Sequence, residues 1–357
     1  MSESVSIVLE TGDVLTGKRF GAPLDTVGEL VFTTGMGGYI ETLTDPSYYG
    51  QIILQTFPLI GNYGMIAADF ESGGCAARGY VCYDPCDTPS NFRAESTVDA
   101  FLKAHAIPGV CGIDTRALTR IIREHGVMNA AIAADPALVD LHTLSAYRVS
   151  GAVAAVTCRQ ISVSEPAGDV LATVVLIDYG AKRNIQRELL ARGCRVITVP
   201  AQTSAETICA MRPDGILLSN GPGDPAENSG CIAELAKLLG ICPIFGICLG
   251  HQLLALAAGG RTVKLKYGHR GVNQPVKDLE TGRVYISSQN HGYAVLAGSV
   301  SRFGAKQWMV NANDGTCEGM TYPDIRARSV QFHPEACAGP KDTAALFDRF
   351  AAEIMHT

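Results

Sequence analysis

From Asp169 onward the chain alternates continuous apolar runs with segments whose apolar positions recur at helical spacing. The runs are Val170 to Ile177, Arg195 to Val199, Gly215 to Ser219 and Pro243 to Ile247. Helical patterns follow them near Asn184 to Arg192, Ser204 to Met211, Ser229 to Leu239 and Leu249 to Ala258. An apolar run without polar alternation suits a strand covered on both faces. Strand–helix units repeated in this way predict a doubly wound, mostly parallel sheet. Beyond Arg261, the segments Arg283 to Ser287, Lys306 to Asn311 and Arg328 to Phe332 read as further strands, an antiparallel extension.

The first part of the chain has a different rhythm. Val5 to Glu10 and Val14 to Phe20 read as strands joined by the turn Thr11-Gly12-Asp13. Thr115 to His125 is the clear helix, with Leu118, Ile121 and Ile122 on one face and Gly126 as its stop. Strands here do not alternate regularly with helices, which predicts a β-rich α+β domain. A short helical piece near Pro136 to Ser145 precedes residues rich in Ser, Val, Ala, Pro and Gly. We therefore divide the chain into a first domain over 1–150, a linker over 151–168 and a second domain over 169–357.

Composition narrows the function. A length of 357 residues favours two cores over one. With 47% hydrophobic and 18% charged residues the chain is globular, and a net charge of -6 argues against binding a phosphate backbone. No basic, apolar leader stands over Met1 to Glu10, so a cytoplasmic location is expected. The twelve cysteines then read as thiols. Cys82 and Cys86 are the closest pair, no CxxC occurs, and no metal site is expected. Leu238 to Gly260 lacks Asp, Glu, Lys and Arg, yet its Pro243, Gly246, Gly250, His251 and Gln252 fit a buried strand and helix better than a membrane span.

Chemistry concentrates at strand ends. Gly246-Ile247-Cys248-Leu249-Gly250 closes one apolar run and opens a helix, the arrangement of a nucleophile elbow with cysteine as the nucleophile. The helix N-terminus favours the thiolate. A cysteine nucleophile needs a base and an orienting partner. Gln331-Phe332-His333-Pro334-Glu335 supplies both: in an extended segment His333 and Glu335 project to one side, so Glu335 can hold the imidazole that faces Cys248. His251, His269 and His291 compete for the role of base; His251 reads as packed in the helix, and the other two as loop residues. The loop Asn220-Gly221-Pro222-Gly223-Asp224-Pro225 offers amides beside that of Leu249 for an oxyanion, though Pro222 has no N–H to give. Gly12 to Lys18 matches a phosphate-loop spacing, but Arg19 replaces the hydroxyl residue and no helix follows.

These motifs together resemble the triad-type class I glutamine amidotransferases, within which the chain is similar to the carbamoyl phosphate synthetase small-subunit family. Further resemblance lies in Thr34-Gly35-Met36, Asp45-Pro46-Ser47-Tyr48, Ser90-Asn91-Phe92-Arg93, Gly112-Ile113-Asp114-Thr115-Arg116, Gly268-His269-Arg270-Gly271 and Ser288-Gln289-Asn290-His291-Gly292-Tyr293. It thus spans nearly the whole chain. The chain carries Phe92 where the family often has Trp, and Tyr293 where it often has Phe.

The resemblance implies a glutaminase with Cys248, His333 and Glu335 as catalytic triad. Glutamine would be bound by Ser47 of the first domain together with Gly221, Gly223, Leu249, Gln252, Asn290, Gly292 and Tyr293. It also implies that ammonia passes to a large subunit, which alone would use ATP and magnesium to form carbamoyl phosphate for arginine and pyrimidine synthesis. No cofactor is then expected in this chain. Two other readings stay open: the glutaminase component of another synthetase, such as one making anthranilate or guanylate, and an idle module that keeps the fold.

Overall fold

The computed structural model describes residues 3–336 and 338–355, which divide after Ser150 into two compact units. In the first, β1 (Ser4–Leu9), β2 (Val14–Gly21), β3 (Thr26–Thr33), β4 (Gln51–Gln55), β6 (Gly79–Val81), β8 (Pro108–Cys111) and β9 (Met128–Ala133) close into a barrel in the order β1-β2-β8-β6-β4-β3-β9. Two-residue strands β5 (Leu59–Ile60) and β7 (Asp84–Pro85) pair separately. β3, β4, β6 and β8 run parallel to one another, while β1, β2 and β9 are joined antiparallel. Closure leaves the barrel without an open edge.

The phosphate-loop spacing at Gly12 falls in the turn and second strand of the β1–β2 hairpin, with the Leu9 amide donating to the Asp13 carbonyl at 2.9 Å. The expected helix forms over Thr115–His125. Asp114 caps it through the Ala117 amide at 2.8 Å, and Gly126 ends it at a φ of 98° that suits glycine.

The second unit is built on a ten-stranded sheet. Its strands are β10 (Ser162–Ser164), β11 (Ala172–Asp178), β12 (Cys194–Pro200), β13 (Gly215–Leu218), β14 (Ile244–Ile247), β15 (Thr262–Asp278), β16 (Val284–Val295), β17 (Lys306–Asn311), β18 (Cys317–Tyr322) and β19 (Ala327–Val330), in the order β10-β12-β11-β13-β14-β19-β18-β17-β15-β16. The strands β12-β11-β13-β14-β19 are parallel, and β18, β17, β15 and β16 extend them antiparallel. Side chains of one strand alternate between two cores. Val175, Ile177, Ile216 and Leu218 pack with the helices Ala205–Ala210, Ser229–Leu238 and Leu249–Ala257. Val174, Leu176, Leu217 and Phe245 pack with Arg183–Leu190 and Ala345–Met355. Helices thus cover both faces, as the apolar runs require.

Three expectations change. The segment 151–168 is not a bare connection. Its Ala152–Val156 helix places Val153 in one core, and β10 adds an antiparallel edge to β12. Its small and β-branched residues, read as irregular, are what such a packed edge accepts. Second, β15 and β18 were not anticipated. β15 is interrupted by register shifts between Lys264 and His269 and between Gly271 and Gln274, which erase the period-two signal. β18 is buried throughout, including its Glu318, so polar and apolar positions do not alternate. Third, His269 and His291 are not loop residues; they are cross-strand partners on β15 and β16.

The apolar stretch from Leu238 to Gly260 divides into a helix end, β14, the elbow and the next helix; no described helix is long and apolar enough to cross a membrane. The eleven described cysteines are unbridged thiols.

One close crossing in the second unit is backbone against backbone. The Gly250 amide donates to the Ser219 carbonyl at 3.0 Å, and a Cβ on Gly250 would lie 2.4 Å from the Leu218 carbonyl oxygen. We expect Gly250→Ala to cost about 1–3 kcal/mol in denaturant unfolding, the range for overpacking a close-packed interior. A neutral result would show that the helix can retreat from β13.

Candidate active site

Cys248 stands between β14 and the helix Leu249–Ala257, at φ 53° and ψ -103°. A positive φ at a non-glycine residue costs about 1–3 kcal/mol and persists only where its surroundings enforce it. Here the Cys248 amide donates to the Val330 carbonyl at 2.9 Å, and its carbonyl accepts from Gln252 at 3.2 Å. Gly246 must stay bare as well, since its Cβ would approach the Gly250 carbonyl group at 2.9 Å. The side chain, 2% exposed, points its Sγ toward the Asn290 carbonyl at 3.8 Å and receives the Gln331 side-chain amide at 3.7 Å.

β19 runs beside β14 and carries the second part of the site past Val330. The His333 amide donates to the Ser288 carbonyl at 2.9 Å, which ties this segment to β16. His333 Nδ1 meets Glu335 Oε1 at 2.6 Å, as expected from the sequence, but by a different geometry. The residues are not extended. The Ala336 amide donates to the His333 carbonyl at 3.2 Å, closing a turn around Pro334 that folds the carboxylate back to the ring. His333 Nε2 is buried and makes no hydrogen bond. A carboxylate only accepts here, so the ring proton sits on Nδ1 and Nε2 keeps a lone pair.

Glu335 has a second partner that sequence reasoning missed. Lys182 Nζ lies 2.7 Å from Glu335 Oε1, with both side chains nearly sealed from water. Burial pushes the Glu335 pKa up, but the Lys182 ammonium and His333 outweigh it and hold the carboxyl at about 2. Lys182 is positioned by its own loop: its amide donates to Asn220 Oδ1 at 3.0 Å, and Asn220 Nδ2 donates to the Gly180 carbonyl at 3.0 Å. The Asn184 side-chain amide also donates to the Glu335 carbonyl. A lone lysine after a strand carries no motif, so nothing in its neighbours announced it.

Gln331 was also overlooked, although its position two residues before His333 was a usable signal. It accepts from Gln252 Nε2 at 3.0 Å while donating toward Cys248, and Gln252 Nε2 also reaches the Tyr293 carbonyl at 2.8 Å. Asn290 lies at the nucleophile through its carbonyl, and Gly292 faces the Arg270 guanidinium, which a Cβ would approach to 3.3 Å.

Gly221 presses against Leu249. Its Cβ would lie 2.7 Å from a Leu249 methyl and 2.3 Å from the Tyr179 carbonyl oxygen, so the 220–225 loop borders the elbow. Gly223 follows at φ 87°. Of the competing histidines, His251 is fully buried against Ser329 Oγ at 2.8 Å, and burial pushes its pKa down to about 3. It is packed, as expected. Ser47 belongs to the first unit, buried in the turn Pro46–Tyr48, with its amide donating to Asp45 Oδ1 at 2.9 Å.

Comparison with known proteins gives the family. The profile of the carbamoyl-phosphate synthase small chain, CPSase domain, matches residues 7–132, and that of the class-I glutamine amidotransferases matches 175–352. A carbamoyl phosphate synthase small chain of Symbiobacterium thermophilum is 48% identical over 97% of this chain and 97% of its own length. A pyrimidine-specific small chain of Halalkalibacterium halodurans is 47% identical over 96% of this chain and 95% of its own. A small chain of Bacillus cereus is 49% identical over 98% and 95%.

Two predictions follow from the ion pair. Lys182→Met should cost about 3–5 kcal/mol in denaturant unfolding, because it leaves a buried carboxylate short of its cation, whereas Lys182→Met/Glu335→Gln should recover most of that loss. An equally unstable double variant would contradict the pairing. The folded-state pKa of Glu335 lies below its ordinary value of 4.5, so the pair stabilises fully above that pH, and the contribution is lost as pH falls toward about 2. The stability of the parent should therefore fall more steeply across that window than that of the double variant; parallel curves would contradict the assignment. On sequence, and with its site assembled in this way, the chain belongs to the carbamoyl phosphate synthase small-chain family.

Proposed function

We propose that Cys248, His333 and Glu335 hydrolyse the side-chain amide of glutamine, and that the ammonia serves a large subunit that makes carbamoyl phosphate. The observation that carries this reading is an elbow cysteine at the end of β14 and, past the neighbouring β19, a buried histidine whose Nδ1 is fixed by a carboxylate at 2.6 Å. Such an arrangement leaves the other ring nitrogen to accept a proton.

Glutamine enters with its amide carbon at Cys248 Sγ. His333 Nε2 takes the thiol proton, Sγ bonds to the δ-carbon, and the carbonyl oxygen becomes an oxyanion. The Leu249 amide, the first of the helix, and amides of the Gly221–Gly223 loop stabilise that charge. The imidazolium formed meanwhile is stabilised by Glu335, which stays ionised throughout because Lys182 holds it so. His333 then protonates the departing nitrogen as the C–N bond breaks, leaving a γ-glutamyl thioester and ammonia. Water, deprotonated by His333, cleaves the thioester to glutamate and returns the thiol. Gln252, Asn290, Gly292 and Tyr293, together at the β16 side of the site, hold the α-amino and carboxylate end.

This division of labour assigns ATP-dependent chemistry to the partner, consistent with membership of a small-chain family. The relatives' names include one pyrimidine-specific chain, and we extend the pyrimidine role, and a cytoplasmic location, to this protein.

Glutamate release from glutamine should be measured for the purified chain, alone and with a carbamoyl phosphate synthetase large subunit. We expect turnover at least in the complex, and a loss of about 10³-fold or more in Cys248→Ala and in His333→Asn with the fold intact. An unchanged rate in either variant would remove that residue from the mechanism. Glutaminase activity without carbamoyl phosphate in the complex would remove the assigned partner.

A further inference from the structure

Behind the β16 face of the site, side chains from β15, β16 and β18 converge on one buried point. His269 and His291 face each other across β15 and β16, with His269 Nδ1 and His291 Nε2 3.2 Å apart. Glu318 of β18, fully buried, brings Oε1 to 3.5 Å from His269 Nδ1. Gln289 Oε1 lies 3.1 Å from His291 Nε2. We propose that this cluster binds a divalent cation of zinc type through His269 Nδ1, His291 Nε2 and Glu318, with the Gln289 amide oxygen available as a fourth donor.

The argument rests on where the protons are. His269 Nε2 lies 2.8 Å from Asp314 Oδ2, and His291 Nδ1 lies 2.8 Å from the Tyr293 carbonyl. A carboxylate and a carbonyl are acceptors, so each ring directs a proton outward; in the neutral rings His291 Nε2 and His269 Nδ1 then turn a lone pair inward. The Glu318 carboxylate adds an acceptor to the same point; its Oε1 is oriented by the Asn311 side-chain amide at 3.1 Å, and its Oε2 makes no hydrogen bond. Acceptors facing acceptors repel unless a positive charge lies between them, either a second proton on His269 or a cation that displaces it.

Dimensions agree with a metal. Ligands about 2.0–2.1 Å from a tetrahedral zinc stand about 3.3 Å from one another; the two His269 separations, 3.2 and 3.5 Å, bracket this, and all three ligand atoms lie within 4.8 Å of one another. The outward partners also match what metal-binding histidines use, a carboxylate on one ring and a backbone carbonyl on the other. Arg270, near Gly292, opposes a cation, and the two carboxylates of Glu318 and Asp314 offset it. The ligands come from separate strands, so no short metal-binding spacing marks them in the sequence. A cation here would pin β15, β16 and β18 together and fix the segment that presents Asn290 and Tyr293.

The test uses the full chain, stripped with a chelator and titrated with Zn²⁺ or Co²⁺ alone. We expect one equivalent of Co²⁺ to give the visible ligand-field absorption of a tetrahedral site without the near-ultraviolet band of thiolate ligation. That separates this site from the chain's cysteines. Zn²⁺ should raise the melting temperature. Asp314→Asn should weaken binding about 10–100-fold, and His269→Ala and Glu318→Gln should weaken it further. No uptake at micromolar metal, a thiolate band, or equal binding in His269→Ala would each overturn the proposal. Should the variants fail to fold, the spectrum of the parent decides alone. None of these readouts needs glutamine turnover, so the glutaminase reading and the metal site stand or fall separately.

Discussion

Glu335 carries a charge in a place with almost no water, and the geometry of the second unit's site follows from how that charge is satisfied. A buried, unpaired carboxylate would take up a proton sooner than stay ionised. Lys182 at 2.7 Å and His333 at 2.6 Å prevent this by meeting the same oxygen. Each partner brings an element with it. Lys182 draws in the loop after β11, which Asn220 then locks to the loop after β13. His333 draws in the turn after β19, which Ser288 locks to β16. The carboxylate therefore fixes one histidine proton and at the same time gathers the carboxyl ends of the parallel strands around Cys248.

Those strand ends form a site because of sheet order. β12 and β13 lie on opposite sides of β11, so the chain reverses direction across the sheet at this point. The connections leaving β11 and β13 diverge to opposite faces and leave a crevice at their carboxyl edge. β14 and β19 continue from β13 on the same side and place the nucleophile and the base on neighbouring strands. The strain at Cys248 belongs to this arrangement. A residue at φ 53° lifts its side chain away from both the strand behind and the helix ahead, and the bare Gly246 and Gly250 let the backbone pass.

What could be read in the sequence was what local chemistry determines. The apolar runs of β11, β13 and β14 are apolar because both faces are covered, so they identified a parallel sheet without any partner being known. The helix over Thr115–His125 was legible because its cap, its periodic face and its stop all lie within it. The elbow was legible because its glycines are required by a turn only a few residues long. Lys182 was not, because its role exists only once Glu335, far along the chain, has folded back to it. The seven-stranded barrel of the first unit was read only as β-rich, since closure is decided by pairings between distant short strands rather than by any one of them. β15 and β18 escaped for a related reason: bulges in the one and a buried glutamate in the other removed the alternation on which a strand reading depends.

That buried glutamate shows how a polar residue can report tertiary structure in reverse. Glu318 breaks the pattern of β18 because it is not there to pack; it is there because His269, on another strand, faces it. Glu335 breaks the apolar interior beside β14 in the same way, because Lys182 and His333 face it. In each case a carboxylate out of water is matched with histidine, and each lies on one flank of the segment from Ser288 to Tyr293. Ser288 accepts from the base segment on one side, and His291 joins the Glu318 cluster on the other. Asn290 sits between them, with its carbonyl directed at the nucleophile. That carbonyl is therefore flanked by two buried charge clusters on a strand that the β15–β16 ladder also holds. Charge clusters, unlike apolar contacts, hold only in one geometry, and that directional fixity is what a site must have if it is to place an amide carbon against a thiolate.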